Sequence, residues 1–175
     1  MLFDYAQMKA GQAVLIHGAA GNVGGYAVQL AKDAELRVFA TAGPADLDYV
    51  RGLGAEIVVN HKTTKFEDAV PPVDAVLDTV GGETQRRSFG VLKPGGILVS
   101  SVSPPPQHVG VRSAFFLVDV TATRLAQLAR LFDSRRLTAE VGTVLPLEEA
   151  RTAHEMLAGA PHKRGKIVLT MHGLH

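Results

Sequence analysis

A glycine-rich run directly follows a short apolar segment near the start of the chain, and a helical pattern begins at once after it. The apolar segment covers residues 13–17, the glycine run covers 18–25, and the helical stripe consists of Val23, Ala27, Leu30 and Ala34. A buried strand, a tight glycine turn and a helix in this order form the cradle in which α/β proteins hold a nucleotide pyrophosphate. Unpaired N–H groups and a partial positive charge at the helix N-terminus bind phosphate oxygens there.

The glycine spacing fits the dinucleotide fingerprint G-x-G-x-x-G with one change. Ala19 stands at the first glycine position, while Gly21 and Gly24 occupy the other two. The second glycine lets the backbone approach the pyrophosphate, and the third lets the helix pack closely on the strand. Because the strand before the turn and the helix after it are both present, the pattern predicts a dinucleotide site.

Apolar runs recur along the chain and alternate with helical patterns. Most of the runs are continuous, which is typical of strands buried on both faces of a parallel sheet. Alternating strands and helices imply right-handed crossovers. We predict a Rossmann-type, doubly wound α/β fold whose six-stranded parallel sheet has the order 3-2-1-4-5-6. The predicted strands are 13–17, 37–40, 57–59, 73–77, 96–100 and 111–118, and the predicted helices are 23–34, 45–53, 82–91 and 124–134.

The pattern changes after Arg136. Residues 141–145 and 166–170 read as short strands around one helix at 147–158, which has acidic residues in its first turn. Acidic side chains there interact favourably with the helix dipole. We therefore predict a doubly wound domain over residues 1–136 and a short strand and helix appendage over 137–175.

The composition excludes several classes of function. The chain has 18 Lys and Arg against 17 Asp and Glu, so we expect no nucleic-acid partner. It has no Cys, and its seven His are scattered at 17, 61, 108, 154, 162, 172 and 175, so we expect no metal site. No apolar stretch approaches the roughly 20 residues of a membrane span, and the first five residues do not resemble a signal peptide. We expect a cytoplasmic protein without a membrane partner.

The end of the second strand indicates which dinucleotide binds. An NAD site usually has an acidic residue there, which holds the ribose 2′-hydroxyl. Residues 39–44 contain none, although Asp46 and Asp48 lie close by and no Lys or Arg occurs before Arg51. The gap leaves room for a 2′-phosphate, so the sequence favours NADP over NAD. His61, at the end of the third strand, is a candidate contact.

Several stretches together resemble one family. They are GQAVLIHGAAGNVG at 11–24, LGA at 53–55, DAVLDTVGG at 74–82, LKPGG at 92–96, FFLV at 115–118 and RGKIVL at 164–169. In this order they resemble the cofactor domain of the medium-chain dehydrogenase/reductase superfamily, in its zinc-independent, quinone oxidoreductase-like branch. The resemblance covers nearly the whole chain, which makes it more specific than any single motif.

The resemblance implies cofactor contacts by position. The pyrophosphate would lie on the glycine turn, namely Ala20, Gly21, Asn22, Val23 and Gly24. The adenosine ribose and its phosphate would lie near Thr41, Gly43 and His61, although a Lys that the family commonly has there is missing. The cofactor would pass beside the fourth strand at Thr79, Val80 and Gly82. Its nicotinamide would approach Ser100, Ser101, Val102, Ser103, Phe116, Leu117 and Val118.

The implied activity is hydride transfer between NADPH and a small-molecule substrate, either a carbonyl, a quinone or an activated alkene. No residue is a convincing proton donor, so the catalytic residues stay unassigned. Family members begin with a separate GroES-like catalytic domain, so this chain looks like the cofactor half of such an enzyme. Residues 137–175 match the segment that returns to that domain, and their strands would pair with each other, pair with another chain, or fray.

Other interpretations fit less well or stay open. The main alternative is a non-catalytic module that binds a dinucleotide or only dimerises, since the apolar edge strand 111–118 is suited to pairing in a homodimer. A methyltransferase would also need an acid after the second strand. Tyr5 and Lys9 match the Tyr-x-x-x-Lys of short-chain dehydrogenases but precede the glycine turn. Ser100 and Ser101 lack the context of a hydrolase nucleophile. We interpret Asp78, at the end of a strand, as a hydrogen-bond anchor rather than a general base.

Overall fold

In the computed structural model, which describes residues 1–171, six parallel strands form one sheet in the order β3-β2-β1-β4-β5-β6. The predicted doubly wound topology is therefore confirmed. The strands are β1 Ala13–Ile16, β2 Arg37–Ala42, β3 Ile57–Asn60, β4 Val73–Asp78, β5 Leu92–Ser100 and β6 Arg112–Phe115. Because all of them run in the same direction, their carboxyl ends lie along one edge of the sheet.

Helices connect the strands and cover both faces of the sheet. They are α1 Asn22–Asp33, α2 Leu47–Leu53, α3 Gly82–Arg87 and α4 Ala122–Asp133. Alternate residues of a strand face opposite sides, so each strand contributes to two apolar clusters. Val14 and Ile16 belong to one cluster, whereas Leu15 belongs to the other. These residues are completely buried, which explains why the strand sequences are continuously apolar.

The observed elements differ from the predicted ones mainly at their ends. The last strand of the sheet is Arg112–Phe115, shorter than the predicted 111–118, and Leu117 and Val118 are largely exposed beyond it. An apolar run alone does not distinguish a strand from an exposed loop. Short 3₁₀ turns at Pro44–Asp46 and Ser88–Val91 replace the start of the second predicted helix and the end of the third.

The chain divides into two compact units, Met1–Arg136 and Leu137–His175, and the description of the second ends at residue 171. In the second unit, β7 Val141–Pro146 pairs in parallel with β8 Lys166–Thr170, and α5 Ala150–Leu157 lies between them in sequence. Of the three outcomes considered for these strands, pairing with each other is the one observed. The assignment of residues 1–136 and 137–175 to separate functional domains stays a prediction.

Over residues 1–171, no helix has both the length and the apolar character needed to cross a membrane.

Candidate functional site

The predicted site segments lie at the carboxyl edge of the sheet, where a cavity of about 230 Å³ opens. Six of the predicted contact residues line this cavity: Ala20, Gly21, Thr41, Gly43, His61 and Val80. The other lining residues are His17, Gly18, Ala42, Thr64, Phe66, Thr84 and Arg87. The cavity therefore brings together the glycine turn, the ends of β2 and β3, and the start of α3.

The glycine turn depends on positions that exclude any larger residue. Gly18 has φ +68°, and a Cβ there would lie 2.4 Å from Thr79 Oγ1. A Cβ on Gly24 would lie 2.2 Å from the Gly18 carbonyl oxygen and 2.8 Å from Ala19 Cα. Helix α1 can therefore approach the end of β1 only because Gly24 has no side chain, as the fingerprint predicts.

The N-terminus of α1 is open to a ligand. Its N-cap, Gly21, provides no side-chain hydrogen bond, and no acidic side chain lies in the first turn. The first N–H groups of a helix have no intrahelical acceptor and carry a partial positive charge. Asn22 and Val23, in this first turn, are exposed. The turn thus offers main-chain donors to an anion beside the cavity.

A chain of hydrogen bonds lies beneath the cavity and centres on His17. The imidazole is fully buried, with Nδ1 3.0 Å from Thr41 Oγ1 and Nε2 2.9 Å from Ser88 Oγ. Burial lowers the pKa of His17 to about 4, and the carboxylates of Asp78 and Glu67 oppose this only in part. The ring is therefore neutral at physiological pH.

Asp78 holds together the loops after β4 and β5. Its Oδ1 accepts from the backbone N–H groups of Val80 and Gly81 at 3.0 and 2.8 Å, and its Oδ2 accepts from Gln85 Nε2 and Ser100 Oγ at 3.1 and 2.8 Å. The carboxylate is fully buried and its lone pairs are engaged. The interpretation of Asp78 as a hydrogen-bond anchor is confirmed.

The remaining predicted contacts lie outside the cavity. Thr79 donates its hydroxyl to the His17 carbonyl at 2.7 Å, and Gly82 begins α3 with φ +61°. Ser100 is buried and donates to Asp78, while Ser101, Val102 and Ser103 form the following loop. Phe116 packs edge-on against Tyr5, with ring centroids 5.6 Å apart, and Leu117 and Val118 are exposed. Their roles towards a nicotinamide stay predictions.

Sequence reasoning missed the part of the cavity lining formed by Phe66 and Arg87, which we call the opposite wall. Arg87 donates from Nε and Nη2 to the two carboxylate oxygens of Glu67, both at 2.6 Å, and its guanidinium lies 5.0 Å from the centre of the Phe66 ring. This pairing raises the pKa of Arg87 and lowers that of Glu67. Phe66 in turn packs edge-on against His17 at 4.7 Å. The sequence held one signal that could have pointed to these residues: His17, a titratable residue directly after the apolar strand β1, which needs polar or aromatic partners where it is buried.

Within residues 1–171 no group of three or more His, Cys, Asp or Glu side chains is placed to hold a metal ion. His172 and His175, two of the scattered histidines, lie outside the described residues.

Comparison with known proteins places this geometry among dehydrogenases and reductases. The zinc-binding dehydrogenase family profile matches residues 53–169. The chain is similar to the spectinabilin polyketide synthase system protein NorB of Streptomyces orinoci, with 38% identity over 188 residues that cover 97% of this chain and 9% of that protein.

Solved structures agree with this result. The quinone oxidoreductase from Coxiella burnetii superimposes with a TM-score of 0.83 at 34% identity, covering 95% of this chain and 55% of that one. The CurK enoyl reductase gives a TM-score of 0.80 at 28% identity, covering 97% of this chain and 57% of that one. The chain thus spans little more than half the length of these two structures.

Proposed function

Because the chain belongs to the zinc-binding dehydrogenase family of the medium-chain dehydrogenase/reductase superfamily, we propose that it forms the dinucleotide-binding part of an oxidoreductase. The proposed reaction is hydride transfer to or from a quinone, a carbonyl or an activated alkene. Similarity to a quinone oxidoreductase and to an enoyl reductase supports this range of substrates. We propose, as the resemblance to the quinone oxidoreductase-like branch implies, that the reaction does not use zinc.

The observation that carries the proposal is the glycine turn. Helix α1 reaches the end of β1 only because Gly24 has no Cβ, and its uncapped N-terminus adjoins the cavity through Gly21. A pyrophosphate bound there accepts hydrogen bonds from the first N–H groups of α1. The adenosine half would extend into the cavity towards Thr41, Gly43 and His61.

The bound cofactor would supply the hydride at its nicotinamide ring. The chain's own residues bind and orient the cofactor. Asp78 fixes the loops after β4 and β5, and these loops present Val80 and Val102 with 51% and 49% of their surface exposed. These two exposed apolar side chains would be shielded from water by a planar ring packed against them.

For the 2′ position of the adenosine ribose, the sequence predicts NADP(H), because no acid stands in residues 39–44. The carboxylate of Asp46 opposes that assignment and favours NAD(H), since its Oδ2 lies 3.6 Å from the point that a Cβ on Gly43 would occupy. Hydride transfer does not depend on this choice, since the ribose lies at the opposite end of the cofactor from the nicotinamide.

The test is a binding titration with NADH and NADPH, followed through the fluorescence of the reduced nicotinamide. Wild type should bind at least one of them, and Gly24→Ala should lose binding. Gly25→Ala is the matched control, because a Cβ on that neighbouring residue meets its surroundings no closer than 3.5 Å. If neither dinucleotide binds to the folded wild type, the proposal is wrong.

Turnover is tested separately by adding a quinone or an activated alkene and following oxidation of the reduced cofactor. Oxidation that depends on the chain would support an active oxidoreductase. Binding without oxidation would favour the alternative of a non-catalytic dinucleotide-binding module, in which the described chain holds the cofactor but completes no substrate site.

Homodimer formation through the edge of the sheet is a further part of the proposal. The Phe116 N–H donates to Ser100 on β5, so by alternation the N–H groups of Ser113 and Phe115 point away from β5. These donors could pair with a second copy of β6. Ser113→Pro removes one of them without touching the bonds to β5, and light scattering should show a wild-type dimer and a monomeric variant. A monomeric wild type would overturn this part.

A further inference from the structure

The polar groups around Gly43 bear on which 2′ substituent of the adenosine ribose fits the site, a hydroxyl or a phosphate. Thr41, near the end of β2, lines the cavity, and its Oγ1 lies 3.0 Å from His17 Nδ1. Asp46 Oδ2 and His61 Nε2 lie 3.6 and 3.8 Å from the point that a Cβ on Gly43 would occupy. This is the place where the resemblance puts the adenosine ribose and its 2′ substituent. The direction of each hydrogen bond there therefore determines the chemistry that fits.

Counting the protons along the buried chain fixes the direction of the Thr41 hydroxyl. Ser88 Oγ lies 2.6 Å from the Thr84 carbonyl oxygen, which can only accept, so the single Ser88 proton points there. Ser88 Oγ must then accept from His17, which places the imidazole proton on Nε2. The neutral ring has a bare Nδ1, and this atom accepts the proton of Thr41.

The Thr41 hydroxyl consequently has no proton left to donate, and only its lone pairs remain for a further partner. If His17 Nδ1 instead donated to Thr41, the single proton of the neutral ring would be on Nδ1. Nε2 and Ser88 Oγ would then face each other with no proton between them, because the Ser88 proton points to the Thr84 carbonyl. Carrying protons on both nitrogens is prevented by burial, which lowers the pKa of His17 to about 4. His17 is thus a positioning residue that fixes Thr41 as an acceptor.

Asp46 adds a second acceptor, beside Gly43. Its carboxylate is half-buried in the 3₁₀ turn before α2 and lies beside Gly43. A carboxylate accepts hydrogen bonds and repels an anion, and a phosphate monoester carries about −1.5 to −2 charge at pH 7. A ribose hydroxyl, in contrast, has a proton to donate.

The cation on the opposite wall does not offset this charge. Of the described residues that line the cavity, Arg87 alone has a permanent positive charge, and both its Nε and Nη2 are bonded to Glu67. The pair is neutral as a unit. A 2′-phosphate would therefore meet two acceptors and no uncompensated permanent cation.

From this arrangement, we infer that the ribose subsite selects a free 2′-hydroxyl, and so prefers NAD(H) to NADP(H), because Asp46 places a carboxylate beside Gly43 and Thr41, on the cavity lining, has only lone pairs to offer. The inference rests on the proposed dinucleotide function and names its cofactor. It differs from the prediction made from the sequence at a point that affinity measurements decide.

The experiment compares dissociation constants for NADH and NADPH in the full chain. Wild type should bind NADH about tenfold or more tightly than NADPH. Asp46→Asn should strengthen NADPH binding and narrow the ratio by about threefold or more, because it removes the repelling charge. Asp48→Asn is the matched control: it removes the same charge two residues away, from a side chain that is 98% exposed and paired with Arg51. In Asp48→Asn the ratio of the NADH and NADPH dissociation constants should equal that of wild type.

Variants of the buried chain test the polarity itself. Thr41→Val should weaken NADH binding by about three- to tenfold, the loss of one hydrogen bond, and Thr41→Ser should restore it. His17→Leu frees the Thr41 proton to be donated, so the ratio should shift towards NADPH. His17→Gln, whose amide can accept from Thr41 and donate to Ser88, should keep the wild-type ratio. A purely structural role would change both affinities alike.

Failure of the NAD(H) preference and failure of dinucleotide binding give different results in these experiments. NADPH binding as tightly as NADH, or more tightly, would overturn the inference and favour the sequence prediction, with the dinucleotide function intact. A preference for NADH that is unaffected by Asp46→Asn, Thr41→Val and His17→Leu would overturn the assignment to these residues. Binding of neither cofactor by the folded chain would instead remove the proposed function.

Discussion

The buried imidazole of His17 should make the stability of the first unit depend on pH in a defined window. The pKa of His17 falls from 6.5 to about 4 on folding, chiefly because burial disfavours the charged ring. Above pH 6.5 the ring is neutral in both the folded and the unfolded chain. As the pH falls from 6.5 towards 4, the unfolded chain takes up the proton and the folded chain does not, so the free energy of unfolding decreases.

The magnitude follows from the difference between the two pKa values. At about 1.4 kcal/mol per pKa unit, the change from 6.5 to about 4 corresponds to ~3 kcal/mol. That is a large part of the total stability of a domain, which is about 5–15 kcal/mol. The loss should be complete near pH 4, below which this residue contributes no further change.

The assay is urea unfolding at a series of pH values, followed by tyrosine fluorescence. The chain has no Trp, and its three Tyr, at 5, 26 and 49, all lie in the first unit, so the signal reports that unit alone. His17→Gln keeps a donor and an acceptor but does not titrate. Between pH 7 and pH 4, wild type should lose ~3 kcal/mol more than this variant.

Parallel pH profiles for wild type and His17→Gln would refute this reasoning. If the variant does not fold, the wild-type ring can be followed directly by NMR. Its nitrogen shifts should remain those of a neutral imidazole protonated on Nε2 down to about pH 5. A ring that becomes charged near pH 6.5 in the folded chain would contradict the burial argument.

Four further substitutions have expected outcomes that follow from local geometry. Gly52→Ala, with no atom within 4 Å of its new Cβ, should raise the free energy of unfolding by about 0.5–1 kcal/mol, whereas Gly54→Ala, at φ +116°, should lower it by about 1–2 kcal/mol, both measured by urea unfolding. Asp78→Asn places an amide N–H against groups that are all donors, so the same assay should show a loss of ~2 kcal/mol, and an unchanged midpoint would contradict its role as an anchor. Gly142→Ala places a Cβ 1.9 Å from the Arg164 carbonyl oxygen, so amide exchange in β8 should accelerate; unchanged protection would show that β7 and β8 adapt.

The sheet and its order were predictable because each buried strand has the same physical signature. A strand covered on both faces must be apolar throughout, and the turns that flank it need glycine or proline. Residues 13–16 satisfy both conditions, and so do residues 75–77 apart from Asp74 just before them; the structure places the two segments as neighbours, in β1 and β4. The ends of the edge strand were not predictable, since residues 116–118 are more apolar than β6 and yet lie outside it.

Six of the predicted site residues line one cavity at the carboxyl edge, but the prediction left out other residues around it. Glycines spaced like Gly21 and Gly24 between a strand and a helix predict a close approach of the backbone. Nothing in the sequence indicates that Asp46 turns back towards Gly43, because that depends on the 3₁₀ turn before α2. The absence of an acid within β2 was therefore insufficient to decide which polar groups surround Gly43.

The sequence by itself determined where the buried strands lie and where the glycine turn falls, because periodicity and glycine spacing act over a few neighbouring residues. Only the tertiary structure decided the direction of the hydrogen bond between Thr41 and His17. Thr41, His17 and Ser88 come from three distant parts of the chain, and the direction of each proton depends on the next partner. Hydrogen-bond direction in a buried network is a property of the whole set of contacts, so no single residue or motif encodes it.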